Sequence, residues 1–372
     1  MKFVVITHVE HKQIGQDFFA YAPYVREMNL WFKYIDEVEI VASLVVQKKS
    51  KIDLKYKHKK IRFQSIPSIQ FTSISKAFLS LFKLPVILFA LFKACKKADH
   101  IHLRCPGNIG LLGCLVQMFF PKKVKTAKYA GNWNPDSKQP LSYRLQKWIL
   151  SNSFLTRNIK VLVYGNWKNQ SKNIKPFFTA TYNNSEVEKI RDKEYSQRLN
   201  VIFTGSLVRG KRPLLAIRIV ESLYKQGMEV YLNVYGDGIL RKELEDYVGT
   251  SNLDSIVSFH GNQPKETIKS ALRTSHFSIL PSKSEGWPKA IAEAMFFGVI
   301  PIATKVSCVP YMLDYGKRGI LIQPNLEAAV AEIQGYLKDN KQLKTMSREA
   351  LSWSQQYTLD VFEKEISKLL SN

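Results

Sequence analysis

The sequence has 372 residues and carries 55 Lys or Arg against 31 Asp or Glu, a formal net charge of +24. This length allows two domains, and the four cysteines, which show no Cys-x-x-Cys spacing, suggest neither a zinc site nor a disulfide framework. We therefore expect a cytoplasmic protein, and the opening MKFVVITH is too short an apolar run for a signal peptide.

The basic residues are concentrated in the first half of the chain. Residues 1–190 contain 31 Lys or Arg and 11 Asp or Glu, whereas residues 191–372 contain 24 and 20. This asymmetry predicts an acidic partner for the first half, such as an anionic membrane or an acidic lipid-linked acceptor. Because no nucleic-acid-binding module is recognisable, nucleic acid is not an expected partner.

Strands and helices alternate from the N-terminus onward. Apolar runs predict strands at 3–7, 37–46, 61–66, 101–104, 124–130, 159–164 and 177–181, with helices at 18–33, 77–92, 109–120 and 140–150. Asp17 is suited to cap the first helix, and Pro23 either kinks this helix or marks its true start. The alternation predicts a doubly wound parallel sheet.

Polar residues near the ends of these strands are candidates for the acceptor side of a binding site. Ligands of doubly wound sheets bind beyond the carboxyl ends of the strands, so the loop from His8 to Asp17 is a candidate wall. The acceptor-side candidates are His8, Gly15, Asp17, His102 and Asn132. The first loop lacks G-x-G-x-x-G, which argues against a dinucleotide-binding dehydrogenase.

A basic run and an apolar run stand close together in the first half. Residues 48–60 read KKSKIDLKYKHKK, and Ala77 to Phe92 is mostly apolar with lysines on both sides. The apolar run is shorter than the roughly 20 residues that a membrane-spanning helix needs. Two interpretations stay open, a helix lying on an anionic membrane surface and a helix pair packed in the core.

The alternation starts again after the polar segment Asn183 to Leu199, which we interpret as the linker between two domains. Strands are predicted at 201–203, 229–234, 256–259, 276–280, 300–303 and 319–322, with helices at 213–226, 239–248, 265–273, 288–297, 326–337, 341–357 and 359–370. The second half is therefore also expected to form a Rossmann-like domain.

The stretch from Pro281 to Thr304, PSKSEGWPKAIAEAMFFGVIPIAT, combines several signals. A strand end and a polar loop lead into a helix that Pro288 opens and Gly298 stops. Such a helix points its unpaired N–H groups at the loop, which makes an anion site. Glu285 and Glu293 cannot ligate an anion there because like charges repel, so we expect them to accept hydrogen bonds from sugar or ribose hydroxyls.

The string SEGWPKAIAEAM resembles the donor-site motif of retaining glycosyltransferases of family 4 (glycosyl transferases group 1), which have the GT-B fold. The match continues through FFGVIPIAT. The resemblance implies that Glu285 contacts the donor sugar and that Glu293 contacts the nucleotide ribose. It also implies that the backbone of Gly286, Trp287, Pro288, Lys289 and Ala290 holds the diphosphate.

The loop TGSLVRGKR after Phe203 is a second point of resemblance. Lys211 matches the family lysine that neutralises the donor diphosphate, and with Glu285 it is the predicted catalytic pair. Ser206 stands where the family has arginine. Arg209 and Arg212 are therefore the candidates for the missing phosphate contact.

Two further strand ends look like loops of the same family. They are Gly236-Asp237 within YGDGIL and His260-Gly261 within HGN, and the resemblance implies that backbone groups of the second loop meet the nucleotide base. Together with Thr204 and Pro281, these residues place four strand ends where we expect one shared edge of a sheet.

The first domain resembles the family only in its architecture. Many members carry a histidine at the end of the strand corresponding to 124–130, whereas this chain has Asn132 there as a candidate substitute. The chain has no Asp-x-Asp sequence, and Lys211, nearby arginines and the helix N-terminus are suited to neutralise a departing diphosphate. We therefore predict no catalytic metal and no cofactor beyond the donor substrate.

The expected fold is α/β, of the GT-B type, with two Rossmann-like domains facing a central cleft. Residues 1–190 are expected to bind the acceptor and residues 191–357 the nucleotide-diphosphate sugar, while the resemblance implies that the last helix, about 358–372, returns to the first domain. The implied reaction is retaining transfer to a polysaccharide or glycolipid acceptor. Because of Ser206 and the missing histidine, a GT-B epimerase and a non-catalytic sugar-nucleotide-binding or membrane-binding protein stay as alternatives.

Overall fold

Two parallel sheets with helices on their faces organise the chain, as the alternation of strands and helices predicted. The computed structural model describes residues 1–46, 50, 52–69 and 74–371, with side chains from 78 onward in the last range. Residues 48, 49 and 51 of the predicted basic run and the side chain of Ala77 lie outside this description. The chain divides into unit 1, which comprises Met1–Phe177 and the residues from Glu363 onward, and unit 2, which comprises Phe178–Phe362.

Unit 1 is built on a parallel sheet of seven strands. The strands of this sheet are β1 Lys2–Ile6, β4 Glu37–Ala42, β6 Ile61–Ser65, β7 His100–Cys105, β8 Val124–Tyr129, β9 Ile159–Tyr164 and β10 Ile174–Phe177. A separate small sheet contains β2 Lys12–Ile14, β3 Asp17–Tyr21 and β5 Asp53–Lys55. The first helices of unit 1 are α1 Ala22–Phe32, α2 Ile74–Lys97, α3 Asn108–Val116 and α4 Leu141–Ser151. The strand order is β10-β9-β8-β7-β1-β4-β6. The segment predicted as a strand at 177–181 is mostly outside β10. Helices cover both faces, so strands such as β1 are nearly all apolar.

The segment after β1 forms a hairpin where a helix was predicted. Strands β2 and β3 pair antiparallel around Gly15, whose φ is +61°, and β5 adds a third strand. The prediction of a helix from Phe18 capped by Asp17 was wrong, because Phe18 stacks on the Phe63 ring at 4.9 Å as part of a strand. Helix α1 begins at Ala22 beside Pro23, which is the alternative start that the sequence offered.

Helix α2 runs between β6 and β7 as one continuous helix through Pro85, not as a helix pair. Its inner face, with Ile87, Leu91 and Cys95, is buried in the core of unit 1. Among the described residues, its segment Phe78–Lys97 is the one helix that is long and apolar enough to cross a membrane by length and composition, and 33% of its most apolar window is buried. The inner face therefore belongs to the core, but the core interpretation was wrong in expecting a pair of helices.

Unit 2 is built on a parallel sheet of six strands. They are β11 Leu199–Thr204, β12 Val230–Tyr235, β13 Val257–Gly261, β14 Phe277–Leu280, β15 Ile300–Thr304 and β16 Ile320–Ile322, and the helices are α5 Pro213–Lys225, α6 Arg241–Thr250, α7 Lys265–Thr274, α8 Lys289–Phe296, α9 Val309–Met312, α10 Leu326–Leu337 and α11 Asn340–Ser354. The strand order is β13-β12-β11-β14-β15-β16. The strands β11 to β14, whose loops carry the donor-side candidates, are therefore neighbours in the sheet.

The segment 183–199, which was predicted to be a linker, packs on unit 2. Glu186 forms ion pairs with Lys265 and Lys269 of α7, at 3.0 and 3.1 Å. The charged side chains of this segment therefore pair with neighbouring helices. Composition alone does not distinguish such pairing from exposure to solvent. The two units divide after Phe177, ahead of the predicted boundary at 190.

The last helix, α12 (Leu359–Ser371), begins in unit 2 and ends in unit 1. At its start, the Leu359 N–H donates to the Tyr182 carbonyl at 2.8 Å. Further along, the Glu363 carboxylate accepts hydrogen bonds from Lys33 at 2.6 Å and from the Tyr34 hydroxyl at 3.0 Å. Unit 1 is therefore made from two stretches of chain.

Candidate active site

The donor-side candidates lie at the carboxyl edge of the unit 2 sheet. Strands β13, β12, β11 and β14 are consecutive neighbours and all run parallel, so their carboxyl ends meet at one edge. Hydrogen bonds join the loops that follow them, since the Gly205 N–H donates to the Tyr235 carbonyl and the Gly236 N–H to the Gly261 carbonyl. The four strand ends thus form one continuous surface, which is the usual place for a ligand in such a sheet.

Lys211 and Glu285, the predicted catalytic pair, contact each other at this edge. The Lys211 ammonium donates to Glu285 Oε1 at 2.6 Å. The Glu285 side chain is 7% exposed and the Lys211 side chain 30% exposed, so the pair is open to solvent on the lysine side. An ammonium has three donors, which leaves two that can reach a second anion.

Residues at and after the end of β15 fix the backbone around Glu285, and two of them, Ser307 and Cys308, were not among the residues predicted from the sequence. The Ser307 hydroxyl accepts a hydrogen bond from the Glu285 N–H at 3.0 Å, and the Cys308 thiol donates to the Gly286 carbonyl at 2.9 Å. Thr304 donates to the Ser282 carbonyl at 2.5 Å. The rule that identified the other loops, a polar residue at the carboxyl end of a parallel strand, applies equally to Thr304–Cys308.

Helix α8 begins directly after this loop. Pro288 is its N-cap, and Lys289 and Ala290 open its first turn, so the free N–H groups of that turn face the loop of Glu285 and Gly286. At the other end, Gly298 has φ +64° and donates to the Met295 carbonyl, while the next N–H reaches Ala294. This is the Schellman arrangement, and it makes Gly298 the helix stop that the sequence predicted.

Glu293 lies on α8, where its carboxylate is half-buried. The Thr181 hydroxyl donates to Glu293 Oε1 at 2.7 Å. Burial raises the pKa of Glu293 above its ordinary value, while the hydrogen bond from Thr181 opposes this rise. The second carboxylate oxygen is available to accept from a hydroxyl, which is the role that the sequence resemblance implied.

The loop after β11 is held against the Glu285 loop. The Lys283 N–H donates to the Gly210 carbonyl at 2.8 Å, and Arg212, with φ +50°, directs its guanidinium to the Pro281 carbonyl at 3.5 Å. Ser206 and Arg209 are exposed in the same loop. Of the two arginines proposed to replace the family arginine, Arg212 thus lies next to the Glu285 loop.

Gly236 lies in van der Waals contact with the loop after β11. Its φ is +136°, and a Cβ at this position would lie 1.9 Å from the Gly205 carbonyl oxygen. Asp237 is exposed, and its Oδ1 accepts from the Gly238 N–H at 2.7 Å while its carbonyl accepts from Leu207. The Gly-Asp-Gly turn therefore serves to lock two donor-side loops together.

We expect Gly236→Ala to destabilise the protein by about 1 to 3 kcal/mol, because the added methyl group has no space and the backbone must shift. Gly335→Ala is the matched control. Gly335 lies inside α10, and its Cβ would meet nothing within 4 Å, so alanine there should be neutral or stabilising by up to about 1 kcal/mol. Urea unfolding of both variants measures the difference, and equal midpoints would contradict the close contact.

His260 packs against the neighbouring strand. Its ring stacks on Tyr235 with the centroids 4.4 Å apart, and its Nε2 lies 2.8 Å from Asn233 Oδ1. These two contacts keep the His260 side chain packed against β12. Gly261, with φ +65°, then turns the backbone at the sheet edge.

Trp287 anchors the Glu285 loop in an aromatic cluster. Its ring lies 6.0 Å from Trp353, 5.8 Å from Tyr357 and 6.5 Å from Phe178, measured between ring centroids. Trp287 is buried, so its side chain supports the loop rather than facing a ligand. Phe178 also contacts Phe362 at 5.6 Å, and these are the first and last residues of unit 2.

The acceptor-side candidates of unit 1 are distributed over several environments. His8 follows β1 at the carboxyl edge of the sheet, exposed and close to Gly107, where a Cβ would lie 2.9 Å from the His8 ring. Asn132 follows β8 at the same edge, and its Oδ1 accepts from the Asn134 N–H at 2.9 Å. Gly15 and Asp17 lie in the hairpin, where Asp17 pairs with Lys55 at 2.6 Å.

His102 does not lie at a strand end. It is in the interior of β7, is fully buried, and its Nδ1 lies 2.8 Å from the Thr126 hydroxyl. Burial lowers the pKa of His102 far below its ordinary value, so the ring stays neutral. As a core residue it cannot meet a ligand that arrives from solvent, so the prediction of an acceptor-side role for His102 was wrong.

A buried charge cluster lies near the carboxyl edge of the unit 1 sheet. The Glu27 carboxylate of α1 accepts from the Arg104 guanidinium of β7 and pairs with Lys128 of β8 at 3.1 Å. Lys128 is fully buried and its ammonium lies 5.4 Å from the Phe177 ring centroid. Neither composition nor spacing indicated this cluster.

Within the described residues, no group of three or more His, Cys, Asp or Glu side chains is arranged to hold a metal ion. The cations on these loops and at the start of α8 include Lys211, Arg209, Arg212, Lys283 and Lys289. These cations and the N–H groups at the start of α8 are able to neutralise an anion there.

Residues 184–353 match the family model described as "Glycosyl transferases group 1". The matched region contains Lys211, Glu285 and Glu293, the three charged residues that the sequence resemblance singled out. The match therefore supports this family for the part of the chain that forms most of unit 2.

Two curated relatives are similar over a part of the chain. A D-inositol 3-phosphate glycosyltransferase of Corynebacterium kroppenstedtii is 27% identical over 184 residues, which cover 45% of this chain and 41% of that protein. The putative colanic acid biosynthesis glycosyltransferase WcaL of Salmonella typhimurium is 26% identical over 183 residues, which cover 46% of this chain and 45% of that protein. The similarity thus spans less than half the length of either relative.

A solved structure is similar over the whole chain. The crystal structure of Anabaena Alr3699/HepE in complex with UDP superposes with a TM-score of 0.67 at 14% sequence identity, covering 100% of this chain and 99% of that chain. This likeness shows the fold. The two Rossmann-like units of this chain make it a member of the GT-B fold, as the sequence predicted.

Proposed function

We propose that the chain is a glycosyltransferase that moves a sugar from a nucleotide-diphosphate sugar to an acceptor. The observation that carries the proposal is the Lys211–Glu285 pair, which lies at the start of α8 on the carboxyl edge of the unit 2 sheet. The match to group 1 glycosyl transferases over 184–353 supports it. The UDP in the complex of the Anabaena protein supports it as well, because it indicates the kind of donor that this fold accommodates.

The donor diphosphate is proposed to lie over the first turn of α8. There the backbone N–H groups of Gly286, Trp287, Lys289 and Ala290 and the ammonium of Lys211 are proposed to face it, with Arg212 nearby as a second cation. Glu285 is proposed to accept a hydrogen bond from a hydroxyl of the donor sugar. Glu293 is proposed to accept one from the nucleotide ribose with the oxygen that does not face Thr181.

The transfer is proposed to retain the anomeric configuration. The bond between the anomeric carbon and the diphosphate oxygen breaks, and the acceptor oxygen bonds to the same face of that carbon. The acceptor proton passes to the departing phosphate oxygen, so atoms and charges balance without a side-chain base. Lys211, the arginines and the α8 N-terminus stabilise the developing negative charge, and for this reason we propose that no metal is needed.

The acceptor is proposed to be a sugar or a lipid-linked sugar, in polysaccharide or glycolipid synthesis, bound by unit 1. The name of the Salmonella relative, which refers to colanic acid biosynthesis, supports this class. We propose that the protein acts in the cytoplasm, where nucleotide sugars are made, with the basic first half directed to the anionic inner face of the membrane.

A thermal-shift panel of UDP-, GDP- and ADP-sugars tests the donor. We expect one nucleotide family to stabilise the protein by about 2.7 kcal/mol when the ligand is present at 100 times its Kd. With that donor, release of nucleoside diphosphate should continue in EDTA, and the product anomer, read by NMR, should match the donor.

Three results would contradict parts of this proposal. If no nucleotide sugar stabilises the protein, the proposed donor site is wrong. Loss of activity in EDTA that Mg²⁺ or Mn²⁺ restores would overturn the metal-independent reaction. An epimerised sugar without transfer to an acceptor would show the alternative enzyme class.

A further inference from the structure

The outward side of α2 carries seven large apolar side chains that are exposed to solvent. They are Phe78, Leu79, Leu81, Phe82, Val86, Phe89 and Phe92, with exposures from 42% to 70%, and we name them the outer face of α2. Phe119, which is 71% exposed and lies 6.3 Å from Phe92 between ring centroids, extends this surface. Isolated exposed apolar residues are ordinary, but a contiguous group of this kind marks an interaction surface.

The outer face is large and is held in place. At a rise of 1.5 Å per residue it extends for about 21 Å along the helix, and its exposed apolar area is on the order of 900 Å². The largest apolar patch on a typical monomer is roughly 300 to 600 Å². Because Ile87, Leu91 and Cys95 fix the inner face in the core, the helix cannot rotate to hide the outer face.

The chain around the outer face is almost free of acidic residues. Between Asp53 and Asp136 the sequence contains fifteen Lys or Arg and one acidic residue, Asp99. Three exposed lysines, Lys93, Lys96 and Lys97, continue the same side of α2 at its C-terminal end, and Lys122 is exposed shortly after Phe119. The apolar surface is therefore bordered by positive charge and lacks the acidic groups that an anionic surface would repel.

We propose that the outer face of α2 inserts into the interfacial region of an anionic lipid bilayer, with the adjoining lysines on the lipid headgroups. Aromatic and aliphatic side chains on one side of a helix, with lysines beside them, have the composition of a helix that lies in a membrane surface. The helix lies flat and does not cross the bilayer, because crossing would remove Ile87 and Leu91 from the core of unit 1. The exposed lysines favour anionic lipid over neutral lipid.

This position also fits the proposed acceptor side, a point that rests on the proposed function. Helix α2 follows β6 in a parallel sheet, so its N-terminal end, where the exposed phenylalanines begin, lies toward the carboxyl edge of the strands. His8 and Asn132 lie at that same edge. A lipid-linked acceptor in the bilayer would therefore approach unit 1 from the side on which α2 is docked.

The test is co-flotation of the full chain with vesicles. Phosphatidylcholine vesicles containing phosphatidylglycerol should carry the protein at low salt, and phosphatidylcholine vesicles alone should carry much less. Phe82→Ser combined with Phe89→Ser should lower the partition coefficient by about 10- to 100-fold, because two inserted rings are lost. Lys93→Gln, Lys96→Gln and Lys97→Gln together should lower it to a similar extent and weaken its salt dependence.

Phe154→Ser is the matched control, because Phe154 is 71% exposed but lies outside α2. It should float like the wild type, and all variants should keep the wild-type melting temperature and nucleotide-sugar stabilisation. Wild-type protein that fails to float with anionic vesicles overturns the proposal. So does a Phe82/Phe89 variant that floats normally, or a wild-type dimer that this variant dissociates in the absence of lipid. Flotation needs no catalysis, so its failure and the failure of the glycosyltransferase proposal are distinguishable.

Discussion

Replacing Glu285 by glutamine should lower the rate of sugar transfer by about 10²- to 10³-fold, the size of effect seen when one preorganised electrostatic contact is removed from an active site. Glutamine keeps the shape of the side chain and its capacity to hydrogen bond, but it removes the negative charge next to Lys211. We expect Lys211→Ala to reduce the rate at least as strongly, because the departing diphosphate loses its nearest side-chain cation. Steady-state kinetics with the donor found in the panel, reported as kcat and KM separately, measure both effects.

The matched control for this pair is Lys344→Ala. Lys344 is 29% exposed and also pairs with a glutamate, Glu194, so it reproduces the burial and chemistry of Lys211 in another part of unit 2. Its loss should leave the rate unchanged. Melting temperatures of the variants separate lost catalysis from lost folding. Full activity in both Glu285→Gln and Lys211→Ala would mean that the candidate active site has been placed wrongly.

The second large effect is expected from Glu27→Gln, which should reduce the free energy of unfolding by about 3 to 5 kcal/mol at neutral pH. Burial alone would raise the pKa of the Glu27 carboxyl, but the positive charges of Arg104 and Lys128 hold this pKa at about 2. Without the carboxylate, the buried Arg104 and Lys128 lose the negative charge that lies between them. Urea unfolding, with a separate fit for each unit where two transitions appear, measures the loss.

The lowered pKa of Glu27 determines how the stabilisation that its carboxylate provides depends on pH. The folded-state pKa of about 2 lies below the ordinary value of 4.5, so the carboxylate contributes its full stabilisation above about 4.5 and loses it as the pH falls toward 2. The difference between wild type and Glu27→Gln should shrink over that interval. Glu363→Gln is the control, since Glu363 pairs with the exposed Lys33 and its loss should cost less than about 1 kcal/mol. Equal effects of the two substitutions would refute a special role for the Glu27 cluster.

Much of the donor edge could be predicted from sequence because its signals are local. A strand end, a proline at the start of a helix and a glycine at its end define α8 without knowledge of any contact, and the parallel sheet then brings neighbouring strand ends together. The alternation of strands and helices likewise follows from the periodicity of apolar residues. These features depend on residues that are close in the chain.

The remaining features depend on distant partners. Ser307 supports Glu285 only because β15 lies beside β14, and the residues near Ser307 do not set the order of strands in the sheet. The charged segment 183–199 has the composition of a linker, and its ion pairs with α7 and α11 show that it is packed. His102 has the ordinary appearance of a site histidine, and its burial follows from rings of Phe3 and Trp31 that are far away in sequence.

The path of α12 has a consequence for the order in which the chain is made. Unit 1 includes the helix segment from Glu363 onward, yet the 185 residues of Phe178–Phe362 are translated between its two parts. At about 5 to 20 residues per second, this interval is on the order of 10 to 40 seconds. During this interval Lys33 and Tyr34 of the nascent unit 1 lack their contact with Glu363. All the strands of unit 2, in contrast, have been translated before Glu363 is added.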